Sequence, residues 1–287
     1  MKTIVMTGGT SGFGAIAALH MLAAPDTRLL LGARRPDEGI ETLPLDLASL
    51  ASVRLFADAL LTKLGDTAID SLVLNAGVQL PTDSRTEDGF ETTFATNQLA
   101  HYLLLRILLP KLAHGATVVI TTSDTHVAIK KLDPEGWAHQ QHHGFLAGMR
   151  AYASSKLCNL LTARALTMSE TGKMLGLVVT AYTPGFTPDT TLFRHWPRFL
   201  QPLQAVVKLV APVVRLSTAE QAGGILADLA LGRTTPPAGR IYAALAKRRL
   251  TWPDPSELAR SDAAAKELWR ASARMVGVSE DPGNIAA

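Results

Sequence analysis

The feature that most constrains the fold of this sequence is a series of short, continuously apolar runs at wide intervals. These runs do not alternate with polar residues, so a strand formed by any of them is apolar on both faces. Such a strand has to be covered on both faces, as in a parallel sheet between two helical layers. The runs occupy residues 4–6, 29–31, 72–74, 118–120 and 177–179.

The segments between the apolar runs have helical periodicity, with apolar residues three or four positions apart. Strands that alternate with helices predict right-handed βαβ units and a doubly wound parallel sheet. The second strand should end near Gly32 and the third should begin near Thr42, which leaves room for about one helical turn. We therefore expect a short loop in place of the helix there. The periodic apolar residues are Ile16, Leu19 and Leu22 in one segment and Val53, Phe56, Leu60 and Leu64 in another.

The whole chain, 1–287, is predicted to be a single domain, because no linker, internal repeat or low-complexity tract divides it. A net charge of +3, scattered basic residues and an aromatic content of 6% argue against nucleic-acid binding. No signal peptide and no run of 18 apolar residues is found, so we expect a cytoplasmic protein without a membrane span. The single cysteine, Cys158, rules out an internal disulfide.

Two segments in the last third of the chain are expected to have distinct roles. The apolar segment 191–216 is predicted to be a lid over an apolar substrate pocket, with a packed helix pair or an interfacial membrane helix as alternatives. Residues 254–287 are expected to form a C-terminal helical tail.

A glycine-rich turn follows the first predicted strand directly. Its glycines allow a tight turn and let the backbone approach a pyrophosphate at the positive end of the next helix. The spacing differs from the usual G-x-G-x-x-G, so the position after a buried strand carries the prediction, and a purely structural turn is the alternative. The predicted contacts are Gly8, Thr10, Ser11, Gly12, Phe13 and Gly14.

The end of the second strand carries two arginines, Arg34 and Arg35, and no acidic residue before Asp37. A site for NAD has an acidic side chain at this point to hold the ribose hydroxyls, whereas arginine accommodates the 2′-phosphate of NADP. We therefore predict NADP(H) as the coenzyme, with a solvated arginine pair as the alternative.

Tyr152 and Lys156 lie four residues apart at the start of a predicted long helix, so their side chains share one face. A free tyrosine has a pKa of about 10, and a neighbouring lysine cation is expected to lower that pKa. Tyr152 is then a candidate acid for carbonyl reduction or base for alcohol oxidation.

Together with Asn97 and Ser123, these motifs follow the order and spacing of the short-chain dehydrogenase/reductase family, which the sequence resembles over about residues 3 to 275. The resemblance implies a Rossmann-type α/β domain with a parallel sheet of about seven strands and helices on both faces. It makes Tyr152 the proton donor or acceptor and Ser123 the holder of the substrate oxygen. It implies that Lys156 binds the nicotinamide ribose and that Asn97 supports a water-linked proton relay to Lys156. Further coenzyme contacts implied are Asp46, Leu47, Asn75, Ala76, Gly77, Pro184, Gly185 and Thr187.

Several stretches resemble the branch of retinol dehydrogenases and light-dependent protochlorophyllide reductases, which act on bulky lipophilic substrates. One is Thr96-Asn97-Gln98-Leu99-Ala100-His101, and another is Ser155-Lys156-Leu157-Cys158-Asn159. The cysteine that follows Pro-Gly in the photoenzyme is here Phe186, and the insertion before its tyrosine is absent, which argues against light-driven chemistry. The threonine four positions after Pro-Gly is replaced by Asp189, which leaves the holder of the nicotinamide amide open between Thr187 and Thr190.

The sequence therefore predicts an NADP(H)-dependent oxidoreductase that interconverts a small hydrophobic ketone or aldehyde and its alcohol. Reduction of an activated C=C bond and a non-catalytic NADP(H)-binding sensor are the alternatives, and a homo-oligomer is compatible with the sequence. No metal is predicted, because His139, His142 and His143 have no carboxylate at a convincing spacing. Cys158 is expected to be a buried structural thiol.

Overall fold

The computed structural model describes residues 1–35, 39–80, 84–141, 144–185 and 217–280. Eight strands of these residues form one sheet in the order β3-β2-β1-β4-β5-β6-β7-β8. Strands β1 to β7 run parallel, and β8 pairs antiparallel with β7. The strands are β1 Lys2–Thr7, β2 Thr27–Ala33, β3 Glu41–Pro44, β4 Ile69–Leu74, β5 Leu112–Thr121, β6 Val178–Thr183, β7 Tyr242–Ala246 and β8 Arg249–Thr251.

Helices cover both faces of the sheet. A π-helical segment, Ala95–Leu99, joins α3 to α4, and short 3₁₀ turns lie at Leu109–Lys111, Asp124–Ala128 and Leu258–Arg260. The last of these and α9 lie in the predicted helical tail, 254–287, as far as it is described. The α-helices are α1 Gly12–Leu22, α2 Leu50–Leu64, α3 Thr92–Phe94, α4 Ala100–Leu108, α5 Pro134–His139, α6 Phe145–Met168, α7 Glu170–Met174, α8 Ala219–Ala230 and α9 Asp262–Val276.

Two apolar cores lie on opposite faces of the sheet, because successive side chains of each strand point to opposite sides. Val5 of β1 belongs to the larger core, which includes α2, α4, α6 and α9. Its neighbours Ile4 and Met6 belong to the smaller core, which includes α1 and α8. The doubly wound α/β fold predicted from the continuous apolar runs is therefore confirmed, and the antiparallel β8 is an addition to it.

The buried face of α1 differs from the predicted one. Leu19 and Leu22 are exposed, whereas Ala17, Ala18 and Met21 are buried. The cause is the close approach of α8, since a Cβ added at Gly223 would lie 2.7 Å from the side chain of Ile16. Alanines fit this narrow space between sheet and helix, so the larger leucines face solvent.

The connection between β2 and β3 contains no helix in its described residues, 34–35 and 39–40. The predicted short loop is confirmed to that extent. The strand order reverses between β1 and β4, and ligands of open parallel sheets bind outside the strand ends at such a switch point. The predicted lid 191–216, the residues Phe186, Thr187, Asp189 and Thr190, and His142 and His143 lie outside the described residues.

Candidate active site

A cleft of about 720 Å³ opens over the carboxyl ends of the parallel strands, at the switch point of the sheet. Every described residue that was predicted for the site lines this cleft, with the exceptions of Arg35 and Asn97. Those that do are Gly8, Thr10, Ser11, Gly12, Phe13, Gly14, Arg34, Asp46, Leu47, Asn75, Ala76, Gly77, Ser123, Tyr152, Lys156, Pro184 and Gly185.

The glycine-rich turn after β1 leaves no room for side chains at two of its positions. A Cβ at Gly14 would lie 2.0 Å from the carbonyl oxygen of Gly8, and one at Gly8 would lie 2.6 Å from the Cα of Ala76. Gly8 also has a φ of +70°, which L-residues rarely adopt. The turn therefore needs glycine at both positions for the backbone to lie close to β4 and to the start of α1.

The first turn of α1 presents its amides to the cleft without a side-chain cap. Ser11 is the N-cap residue, yet its side chain makes no capping hydrogen bond. The first N–H groups of a helix lack partners within the helix, and together with the helix dipole they favour an anion. The missing cap and the absence of side-chain volume in the turn fit the pyrophosphate of a dinucleotide.

Arg34 is exposed and lines the cleft beyond the end of β2, where it makes no ion pair or hydrogen bond with any described residue. No described residue therefore competes with a ligand for its guanidinium. Arg35 is also exposed but does not line the cleft. Asp46 follows β3 at the same end, and its carboxylate accepts a hydrogen bond from the Ala48 amide at 3.0 Å.

The opposite wall of the cleft contains Pro184 and Gly185, directly after β6. Gly185 has a φ of +72°, and a Cβ there would lie 2.4 Å from the carbonyl oxygen of Leu245 in β7. The chain therefore turns tightly against β7 as it leaves the sheet, which keeps this segment at the rim of the cleft.

Tyr152 lies on α6 and lines the cleft together with Ser123, which follows β5, and the two side chains are close enough for Ser123 to influence the pKa of Tyr152. Burial raises the pKa of Tyr152 to about 12, and Ser123 acts in the opposite direction. The predicted direction, a pKa of Tyr152 below its ordinary value, is therefore wrong. The spacing of four residues correctly predicted that the side chains of Tyr152 and Lys156 are neighbours. Desolvation of the phenolate by burial, however, has the largest effect on the pKa of Tyr152.

Lys156 is buried one turn further along α6, with 2% of its surface exposed. Its Nζ donates a hydrogen bond to the carbonyl oxygen of Thr121 at 3.1 Å and lies 5.5 Å from the centroid of the Tyr152 ring. Burial lowers the pKa of Lys156 to about 8. No described carboxylate forms an ion pair with it, so the cation is held by dipoles alone.

Asn97 lies in the π-helical segment and is fully buried behind the cleft wall. Its Oδ1 accepts a hydrogen bond from the amide of Val78 at 2.8 Å, and its Nδ2 donates to the carbonyl of Val78 at 2.9 Å. Nδ2 also donates to the hydroxyl of Ser155 at 3.0 Å. Asn97 therefore ties the loop after β4 to α6, which carries Tyr152 and Lys156.

Two groups of residues that line the cleft were not predicted from the sequence. One group lies at the last residue of β5 or β6 or within three residues after the end of β5, a position that could have identified it. The other reaches the cleft from helices and from the loop after β4, and no local pattern distinguishes it. The first group includes Thr121, Thr122, Asp124 and Thr183, and the second includes Val78, Gln79, Leu80, Thr92, Thr96 and Met149.

Other candidates from the sequence lie away from the cleft. Cys158 is buried, and burial raises its pKa well above the usual value of a thiol, as expected for a structural cysteine. His139 is exposed and packs its ring 5.4 Å from that of Phe90. The described part of the chain has no cluster of three histidine, cysteine or acidic residues that could hold a metal. It also has no helix long and apolar enough to cross a membrane.

Comparisons with known proteins agree with this geometry. Residues 2–131 match the family described as short chain dehydrogenase. Dehydrogenase/reductase SDR family member 13 of Bos taurus is 32% identical over 99% of this chain and 75% of its own length. Human retinol dehydrogenase 13 is 30% identical over 96% of this chain and 85% of its own length.

Solved structures share the fold. An uncharacterised protein from Mycobacterium paratuberculosis superposes with a TM-score of 0.72, at 25% identity, over 97% of this chain and 94% of its own. An NADPH-bound carbonyl reductase from chicken fatty liver superposes with a TM-score of 0.60, at 16% identity, over 88% of this chain and 94% of its own.

Proposed function

The chain belongs to the short-chain dehydrogenase/reductase family, in the branch similar to retinol dehydrogenases, and from that premise we propose that it is an NADP(H)-dependent carbonyl reductase or alcohol dehydrogenase. Members of the family are oxidoreductases that use nicotinamide coenzymes. The observation that carries the proposal is that Tyr152 and Ser123 line the same cleft, with Lys156 buried beside the tyrosine.

Tyr152 acts as the general acid in carbonyl reduction. With a pKa raised to about 12 its phenol is protonated at neutral pH, which is the form required to give a proton to the developing alkoxide. Ser123, which lines the cleft with Tyr152, holds the carbonyl oxygen of the substrate beside the phenol. The bound coenzyme supplies the hydride. In the reverse direction Tyr152 accepts the proton of the alcohol.

Lys156 binds the ribose next to the nicotinamide and sets the charge around Tyr152. Below its pKa of about 8 its side chain is a cation, which lowers the free energy of the phenolate formed when Tyr152 gives up its proton. Asn97 positions α6 through Ser155 and supports a water-linked path for the proton to Lys156.

Arg34 selects NADP over NAD by binding the 2′-phosphate, with Arg35 contributing charge nearby. Arg34 lines the cleft and has no hydrogen-bonding or ion-pair partner among the residues that the structure describes, which supports this assignment. The remaining coenzyme contacts follow the same arrangement: the glycine turn with the pyrophosphate, Asp46 and Leu47 with the adenine, the segment 75–77 with the adenosine side, and residues 184 and 185 with the nicotinamide. Thr187, which the sequence resemblance adds to this last group, lies outside the described residues.

The substrate is a hydrophobic ketone or aldehyde, or the corresponding alcohol. Apolar side chains of Val78, Leu80 and Met149 line the cleft near the catalytic residues. The retinol dehydrogenase relative is named for a lipophilic alcohol. The whole chain, 1–287, acts as one domain in this proposal, and the predicted lid 191–216 lies outside the residues that the structure describes.

The test is consumption of NADPH with a panel of hydrophobic ketones and aldehydes, in parallel with NADH and with the Tyr152→Phe protein. We expect turnover with NADPH and a loss of about 10²–10⁴-fold in kcat for Tyr152→Phe, because the general acid is removed. NADPH binding should remain close to that of the wild type.

Full turnover by Tyr152→Phe would refute the assignment of the acid. Tight NADPH binding without turnover on any carbonyl would favour an activated C=C substrate or a sensor, and a panel of activated alkenes separates these two.

A further inference from the structure

His101 is a buried histidine on α4 that has no part in the proposed chemistry. It has 2% of its surface exposed and contacts two fully buried residues behind the cleft wall. Its Nε2 lies 2.9 Å from the hydroxyl of Thr7, at the end of β1. Its Nδ1 lies 3.1 Å from the carbonyl oxygen of Asn97.

The hydrogen-bonding partners of His101 determine its tautomer. The Asn97 carbonyl can only accept, so Nδ1 has to carry the proton. The Thr7 hydroxyl already accepts from the amides of Asn75 and Ala76 at 3.0 and 3.2 Å, so it donates its own hydrogen to Nε2. Burial lowers the pKa of His101 to about 4, which keeps the ring neutral and this pattern intact at neutral pH.

These bonds close a ring around the segment 75–78, which lines the cleft. Thr7 holds the start of the segment through the amides of Asn75 and Ala76. Asn97 holds its end through both backbone groups of Val78. His101 joins Thr7 to Asn97, so the two groups that hold the segment are themselves connected.

The middle of this segment lies against the catalytic lysine. A Cβ at Gly77 would lie 3.3 Å from Nζ of Lys156 and 3.4 Å from Oδ1 of Asn97. A small displacement of Asn97 or of the segment therefore changes both the adenosine wall of the cleft and the surroundings of Lys156. π-helical turns such as Ala95–Leu99 often occur at functional sites, where they place a side chain that a regular helix would direct elsewhere.

We propose that His101 is a positioning residue that joins Thr7 to Asn97, so that coenzyme binding along segment 75–78 and the placement of Asn97 beside Lys156 depend on each other. The inference rests on the proposed NADP(H)-dependent function. It assigns His101 no contact with substrate or coenzyme.

The first variant is His101→Phe, which retains a ring of similar size and removes both hydrogen bonds. We expect NADPH, measured by its fluorescence on binding, to bind about tenfold more weakly, as for loss of a buried hydrogen-bonding partner. kcat should fall as well, because Asn97 is displaced. His101→Gln offers an amide with one donor and one acceptor, and it should recover part of the NADPH affinity.

A second variant and a control separate positioning from general stability. Thr7→Val removes the hydroxyl with little change in volume, and combined with His101→Phe it should weaken NADPH binding by less than the product of the two single effects. Tyr102→Phe on the same helix removes a different buried hydrogen bond, from Arg106 at 2.6 Å, and faces α9. Its NADPH affinity and kcat should match the wild type even where its thermal unfolding temperature falls.

The outcomes distinguish this inference from the proposed function. A wild-type protein that binds no NADPH refutes the proposed function itself. A wild type that binds and turns over, together with multiplicative effects of Thr7→Val and His101→Phe on NADPH affinity, refutes the role of His101. Equal losses in Tyr102→Phe also overturn it, since they would reflect stability alone.

Discussion

Replacing Lys156 by methionine should stabilise the ligand-free protein while abolishing catalysis. The ammonium of Lys156 is almost completely buried and forms no ion pair with a described residue; it has one hydrogen bond, to the carbonyl of Thr121, and the face of Tyr152. Methionine has a similar length and no charge to desolvate. The Thr121 carbonyl keeps a second donor in Nδ2 of Asn159 at 3.0 Å, so the substitution leaves no buried acceptor without a partner.

The size of the effect follows from the pKa of Lys156, which burial lowers from 10.5 to about 8. Each pKa unit corresponds to roughly 1.4 kcal/mol of preference for the neutral form. The charged lysine therefore destabilises the fold by about 3 kcal/mol below pH 8, relative to the neutral lysine. The Lys156→Met protein should gain a free energy of unfolding of that order near neutral pH.

The pH dependence provides the sharper test. Between about pH 8 and pH 10.5 the unfolded chain retains the proton of Lys156 while the folded chain loses it, so wild-type stability rises with pH across this interval. The difference between Lys156→Met and wild type should therefore shrink from about 3 kcal/mol at neutral pH toward zero near the upper limit. Denaturant unfolding at a series of pH values measures this difference directly.

Lys130→Met serves as the control, because Lys130 is exposed and its ammonium stays in solvent. Its stability difference from the wild type should be small across the same pH range. A Lys156→Met protein that is less stable than the wild type at neutral pH, or a difference that does not change with pH, would refute the argument that burial of the cation dominates at this site.

Two further predictions concern the coenzyme site and its glycines. Arg34→Glu should weaken NADPH binding by about tenfold to a hundredfold and leave NADH binding less affected, because the charged partner of the 2′-phosphate is lost; equal effects on both coenzymes, measured by fluorescence titration, would contradict the assignment. Gly14→Ala should abolish NADPH binding, since its Cβ would lie 2.0 Å from the Gly8 carbonyl oxygen. Gly224→Ala is the matched control: a Cβ there meets nothing within 4 Å, so alanine in α8 should raise the free energy of unfolding by about 0.5–1 kcal/mol.

The sheet was predictable because its signal is local. A continuous apolar run indicates a strand covered on both faces, and it can be recognised without knowing which elements pack against it. The hairpin that adds β8 lacked such a signal. Its turn is formed by Lys247 and Arg248, both with positive φ (48° and 65°), where glycine, asparagine or aspartate is expected. The exposed face of α1 was also mispredicted, since the approach of Gly223 in α8 decides which side is buried, and that contact spans about 200 residues of chain.

The positions of the proposed catalytic residues were predictable, and their environment was not. The spacing of Tyr152 and Lys156 places them on one face of α6, but the pKa of each depends on burial, which the sequence does not reveal. His101 lies within a stretch that resembles the family, but the resemblance assigned it no role. Its position four residues after Asn97 was visible, but only the folded chain brings Thr7 to its other nitrogen.

The energetics of Lys156 also bear on the choice between an enzyme and a nucleotide-binding sensor. A protein that only bound NADP(H) could hold the ribose with neutral hydrogen-bonding side chains, which avoid most of the desolvation of a buried ammonium. This chain instead buries a cation beside Tyr152, in the same cleft as Ser123. A destabilising cation at that place has a physical purpose when a phenolate forms next to it during proton transfer, and strained or destabilised groups are a common cost of catalytic sites. The placement of the charge therefore favours catalysis over sensing.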